Sequence, residues 1–248
     1  MFQRSLVAIL MLCLASVGLS GCASTYGKQT TKVELYPDCY EPIKTLRKEE
    51  NRPVNSAVTG AAAAGFFTLA TCAIINRDVS ASCVGQAAVS AAAGATAGYF
   101  LGVQQKSRDE NSRMAYYLQD IEGDISGLNI ATASARMSIQ CYQKKFDASL
   151  AQYKKKSISR EQLEASYKEI KSGLDESQRI LGKVIESAQE SDARYMAAIQ
   201  EEEKLASRSA SFKQVKSKQA SYKASIADAQ KAQKSLDNFS ARMAENMT

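Results

Sequence analysis

Six cysteines are the chain's reactive thiols, and no histidine accompanies them anywhere in its 248 residues. Without imidazole, both the usual general base near neutral pH and the commonest metal ligand are missing. Cys13, Cys22, Cys39, Cys72, Cys83 and Cys141 lack the short paired spacing that brings thiolates onto one zinc ion. The glycines follow no strand into a phosphate-binding loop. Carboxylate clusters such as Glu201 to Glu203 are expected on the solvated surface of a helix, with no pocket implied. The pattern therefore predicts no enzyme, no cofactor, no metal and no small-molecule substrate. Two kinds of chemistry remain for the thiols: acylation and disulfide formation.

Cys22 closes the stretch MFQRSLVAILMLCLASVGLSGC. One charge, Arg4, precedes an apolar run from Leu6 to about Leu19, the proportions of a secretory signal rather than of a spanning helix. The run ends in Leu19, Ser20, Gly21 and Cys22, which resembles the bacterial lipobox. That resemblance implies cleavage before Cys22, a diacylglyceryl thioether on its sulfur and acylation of the new amino group. Several acyl chains, at about 0.8 kcal/mol per buried methylene, hold far more firmly than one. Ala23 follows in place of the aspartate that retains such proteins in the inner membrane. The resemblance thus implies the outer membrane, with the protein facing the periplasm.

Cys13 leaves with the signal, and Cys39, Cys72, Cys83 and Cys141 remain. An even number in an oxidising compartment predicts two disulfides, with three connectivities open. All three prolines, Pro37, Pro42 and Pro53, fall in the first quarter, so nothing later must break a helix. The remainder is rich in good helix formers. The net charge of +6 is spread along the chain, and Lys154 to Lys156 form its one dense basic run. Nucleic acid is not an expected partner of an exported chain.

Residues 54–76 and 79–105 carry no charge, and Arg77 and Asp78 lie between them. As helices each would be roughly 35–40 Å long, enough for a hydrocarbon core of about 30 Å. An antiparallel pair would place Cys72 and Cys83 symmetrically about the charged tip, where a disulfide could clamp them, leaving Cys39 for Cys141. That second bond faces an obstacle. On a straight helix, Cys141 lies about 57 Å beyond Val103. Either residues 39–54 stretch along the helix, or it bends near Gly123 and Gly127, or the bond does not form. Gly94, Gly98 and Gly102 share one face of the second helix, and small residues there permit the close backbone approach by which helices pair in lipid. With Cys22, this pattern resembles the glycine-zipper lipoproteins, which carry a lipobox and a two-helix glycine-rich hairpin. The hairpin either associates with the bilayer or packs in water against the rest of the chain.

From Met114 onward, core-type residues recur at alternating steps of four and three: Leu118, Ile121, Ile125, Leu128, Thr132, Ala135, Ile139, Tyr142, Phe146, Ser149 and Tyr153. Ser159 and Gln162 form a capping box after the lysine run. A second stripe follows from Leu163 through Tyr167, Ile170, Leu174, Ser177, Leu181, Val184, Ala188, Ser191 and Tyr195 to Ala198. Its phase is lost around residues 200–211. Either a stammer carries the helix onward, or a turn capped by Ser211 and Gln214 opens a third helix, whose stripe runs Phe212, Val215, Gln219, Tyr222, Ile226, Ala229, Gln233, Leu236 and Met243. Thr132, Ser149, Ser177 and Ser191 are either polar positions that set the register or solvent-facing gaps in a thin core, and the second is expected.

The predicted fold is all-α. It comprises a signal peptide (1–21), a tether (22–53), a glycine-zipper hairpin (54–105) and a long antiparallel coiled coil of two or three helices (106–248). The expected function is a non-enzymatic structural or adaptor lipoprotein, held at the bilayer and engaging a protein partner or further copies of itself through the coil. The alternative is a membrane-active oligomer that forms a channel through its hairpins.

Overall fold

The computed structural model describes residues 29–49, 103–104, 107–205 and 207–247, and all regular structure among them is α-helix. Helix α1 spans Pro37–Glu49, α2 Glu110–Lys154, α3 Arg160–Lys204 and α4 Ala210–Glu245. Cys22, Cys72, Cys83, Gly94, Gly98 and Gly102 lie outside the described residues, as does the hairpin except for Val103 and Gln104. Val103 is buried against the bundle core. No helix among the described residues is long and apolar enough to cross a membrane.

Local chemistry sets the helix ends. The Asp109 carboxylate accepts from the Ser112 amide at 2.8 Å and starts α2, which then runs unbroken through Gly123 and Gly127 to Lys154. Its end is a reversal in which the Lys156 amide donates to Tyr153 and the Ser157 amide to Gln152. Lys156 there adopts φ 58°, a left-handed conformation that favours glycine and costs a lysine roughly 1–2 kcal/mol. The expected capping box follows: Ser159 Oγ accepts from the Gln162 amide at 3.3 Å, and Gln162 Oε1 accepts from the Ser159 amide at 2.9 Å.

The lost phase near residue 205 is a turn, so there are three long helices rather than two. Its cap is Ser209, which accepts from the Phe212 amide at 3.0 Å, not Ser211. Ser211 already lies inside α4 and bonds Asn111 at 3.2 Å.

Helix α3 runs antiparallel to α2, and α4 returns parallel to α2. Arg136 pairs with Asp228 across the α2–α4 seam, and Gln178 bonds Asp237 across α3–α4. The Phe146 ring meets Phe239 edge-on at 6.3 Å and Tyr167 at 6.5 Å. The α4 stripe is buried almost as expected, with Ala232 in place of Gln233 and Phe239 added. On α2 the buried face is wider than one seam. Tyr117, Ala131, Ser134 and Ser138 are covered, Leu118 and Ile125 of the stripe are half-buried, and Tyr153 is exposed. The cause is that α2 packs against three neighbours, so a wider arc of its surface is enclosed. Thr132, Ser149, Ser177 and Ser191 are buried, not solvent-facing. Thr132 Oγ1 donates to the Leu128 carbonyl at 2.7 Å.

The third neighbour of α2 comes from the stretch expected as a tether. Residues 29–36 run antiparallel along α3. The chain then turns at Pro37, which suits a first helical position because its missing N–H needs no partner there, and α1 returns antiparallel to α2. Tyr40, Ile43 and Leu46 bury their side chains beneath it. Cys39 and Cys141 are bonded, with a Cα–Cα distance of 5.2 Å. No break in α2 at Gly123 or Gly127 is needed, because α1 itself lies on α2 and brings Cys39 alongside.

Candidate functional site

Two glutamates on one face of α3, Glu169 and Glu176, hold the N-terminal segment. They are seven residues apart, two turns of helix, so both side chains point the same way. Residues 29–36 form no regular structure, and their amides need acceptors if they are to be covered. Glu169 supplies them for three in succession. Its Oε2 accepts from the Glu34 and Leu35 amides at 3.0 and 2.7 Å, and its Oε1 from the Tyr36 amide at 2.8 Å.

Glu176 is more completely enclosed, its side chain having no exposure. Oε2 accepts from the amides of Thr30 and Thr31 at 3.0 and 2.8 Å and from their hydroxyls at 3.0 and 2.7 Å. Oε1 accepts from the Tyr40 hydroxyl at 2.7 Å and from Arg47 through both Nε and Nη2. Burial alone would raise this carboxyl, but the donors from Thr31, Arg47 and Tyr40 outweigh it and hold the pKa at about 2. Burial, reinforced by the bond to Glu176, pushes the Tyr40 phenol up to about 12. One carboxylate thus joins the extended N-terminal segment, the returning helix and the bundle. Close by, the Tyr36 hydroxyl sits between Ser149 and Ser166 at 3.1 and 2.7 Å.

The Glu176 carboxylate is occupied by donors and held ionised well below neutral pH, which makes it a poor general base. Asp38, Cys39 and Cys141 lie within ligand distance of one another, yet both sulfurs are spent in the disulfide and Asp38 pairs with Lys145 at 3.1 Å. That cluster offers no thiolate to a metal.

A second buried pair closes the far end of the bundle. Arg113 meets Glu202 through Nε and Nη2 at 2.7 and 2.8 Å, and Tyr117 and Ser207 add bonds to the same carboxylate at 3.2 and 3.1 Å. The expectation that Glu201 to Glu203 all lie on the surface is therefore corrected for Glu202, which is 1% exposed. Consecutive helical residues point about 100° apart, so the middle one of three faces inward while its neighbours pair outside with Lys204 and Lys216. Midway along the bundle, Asp124 accepts from the Tyr195 hydroxyl at 2.8 Å, and burial raises its pKa.

Of the residues singled out in the sequence, Cys39 and Cys141 are brought together at the clasp. Glu169, Glu176, Tyr40 and Arg47 were not anticipated. The available signal was the heptad spacing of the two glutamates directly beside the stripe positions Ile170 and Ser177.

Gly173 lies beneath the clasp. A Cβ there would fall 2.4–2.7 Å from the Tyr142 hydroxyl and ring, and Tyr142 is fully buried with nowhere to swing. Gly173→Ala is expected to lower stability by about 1–3 kcal/mol in urea unfolding, despite alanine's better helix propensity. Gly123 is exposed with nothing within 4 Å of such a carbon. Gly123→Ala should therefore raise stability by about 0.5–1 kcal/mol. The same chemical change should thus act with opposite signs at two positions.

No family model, no curated protein and no solved structure matches this chain.

Proposed function

We propose that this chain is a non-enzymatic, lipid-anchored envelope protein of the outer membrane, a structural or adaptor component. Its helical bundle projects into the periplasm and engages a protein partner or further copies of itself. The observation that carries this reading is the spacing between anchor and clasp. Cys22, with its lipobox-like context, stands only eight residues before Thr30, where the chain is seized by a buried carboxylate. An acyl anchor so placed is tied to packed structure through only eight residues. The Cys39–Cys141 disulfide suits an exported protein. Three long helices, two of them 45 residues or roughly 67 Å, suit a rod that bridges distance.

The test is acylation. Cells expressing the wild-type chain with labelled palmitate should yield a labelled protein that only detergent releases from membranes. Cys22→Ser should be unlabelled and shift to the soluble periplasmic fraction. If Cys22→Ser is exported and stays membrane-bound as tightly as wild type, lipid is not what holds it. The channel alternative rests on residues 54–105 and would show as conductance in planar bilayers.

A further inference from the structure

The polarity of the rod on the membrane follows from where the clasp sits. We infer that the turn joining α2 and α3, carrying Lys154, Lys155, Lys156 and Arg160, docks on anionic phospholipid headgroups of the leaflet that holds the acyl anchor. The inference rests on the lipid-anchored reading above. Eight residues from Cys22 to Thr30 span at most about 28 Å. Along α3, Glu176 stands about 25 Å from Ser159 and about 42 Å from Lys204. The chain at Thr30 faces the α3–α4 end, so the leash doubles back, nearly fully stretched, to let an upright rod touch the bilayer with its α2–α3 end, and it is too short to bring the α3–α4 end there.

Charge agrees with reach. At the α2–α3 turn four cations stand against two carboxylates, Glu161 and Glu164. Glu164 is engaged by Arg160 at 3.0 Å, and Lys154, Lys155 and Lys156 are all exposed. The neighbouring end of α4 adds Arg242 and Glu245, which balance. The opposite end carries no comparable run: Arg108, Lys204, Arg208, Lys213 and Lys216 interleave with Asp109, Glu110, Glu201 and Glu203, and Lys204 and Lys216 are paired with Glu201 and Glu203. Lys156 supplies a separate indication. Glycine would relieve its left-handed backbone, so the position keeps a charge where the fold itself favours none. The opposite end, with exposed Tyr116 and Leu205, is then the one presented to a partner.

The experiment uses the acylated full-length protein in vesicles of phosphatidylcholine and phosphatidylglycerol (three to one) with an energy acceptor on the headgroups. A donor dye is placed at Ser157 or at Ser209. Strong transfer from Ser157 and weak transfer from Ser209 is expected, and half-molar salt should abolish the difference. In the Lys154→Gln/Lys155→Gln/Lys156→Gln variant the ratio of docked to undocked protein should fall about 100-fold. All three side chains are exposed, so its thermal unfolding should match wild type. Equal transfer from both sites, stronger transfer from Ser209, or a triple variant that behaves as wild type would overturn the inference. Salt insensitivity of the wild type does the same should the variant fold poorly. Acyl labelling of the same preparation separates the two readings: a labelled protein that fails these tests leaves the anchor standing, whereas an unlabelled one removes both.

Discussion

Glu176→Ala is expected to destabilise the protein by about 3–5 kcal/mol, the range for breaking one side of a buried ion pair. The loss has several sources. Arg47 would be left cationic and largely covered, the Tyr40 hydroxyl unpaired in the core, and the amides of Thr30 and Thr31 without acceptors. At about 2–4 °C per kcal/mol for a chain of this size, the fall in thermal midpoint should be about 10 °C. Hydrogen exchange should rise first at Thr30 and Thr31, while α4, which does not touch this carboxylate, keeps its protection until global unfolding. A midpoint within a degree of wild type would show that the clasp contributes nothing.

Acid provides an independent readout of the same group. The carboxyl titrates at about 2 when folded, against an ordinary 4.5. Its folded pKa is depressed, so its stabilisation is complete above pH 4.5 and is lost as pH falls from there towards 2. The linked free energy is about 3 kcal/mol. Other carboxyls contribute their own slopes, among them Asp124 with the opposite sign, so the informative quantity is a difference. The stability gap between wild type and Glu176→Gln should shrink as pH is lowered from 5 to 2. A gap constant across that window would mean that the charge of Glu176 is not what holds the N-terminal segment.

Removal of the Cys39–Cys141 bond is the second large effect. The cross-link joins residues 102 apart in sequence, and the chain-entropy account assigns a loop of this length about 4–5 kcal/mol. Cys39→Ala/Cys141→Ala should lose about 3–4 kcal/mol in urea unfolding, because the reduced native state keeps Tyr40, Ile43 and Leu46 packed. The double variant leaves Cys72 and Cys83 intact, so the measurement reports this bond alone. Combined with Glu176→Ala, the total loss should fall short of the sum of the two, because removing both restraints lets α1 leave the bundle and that release caps the cost of the broken pair. Strict additivity would mean that the disulfide and the carboxylate hold separate structures.

The sequence by itself determined the class and the first turn of the bundle. All-α character followed from early prolines and apolar residues at steps of three and four. The first turn followed from Ser159 and Gln162, whose bonds reach three residues. These signals are local, and a helix answers to its nearest neighbours in the chain. The two-or-three-helix question stayed open because Ser209 and Ser211 offer the same hydroxyl. Only the register of α4 against its partners decides which stands at the boundary.

Tertiary structure alone decided the clasp. Glu176 bonds residues 129 to 146 positions away, and nothing within a few residues of it distinguishes a gripping carboxylate from a solvated one. Glu202 beside Glu201 and Glu203 makes the same point. A stripe identifies the face that one partner covers, but a third neighbour widens that face. A polar residue at its margin passes from water into the core once a donor arrives from a distant part of the chain. For that reason a stretch with the composition of a tether proved to contain the element that closes the fold.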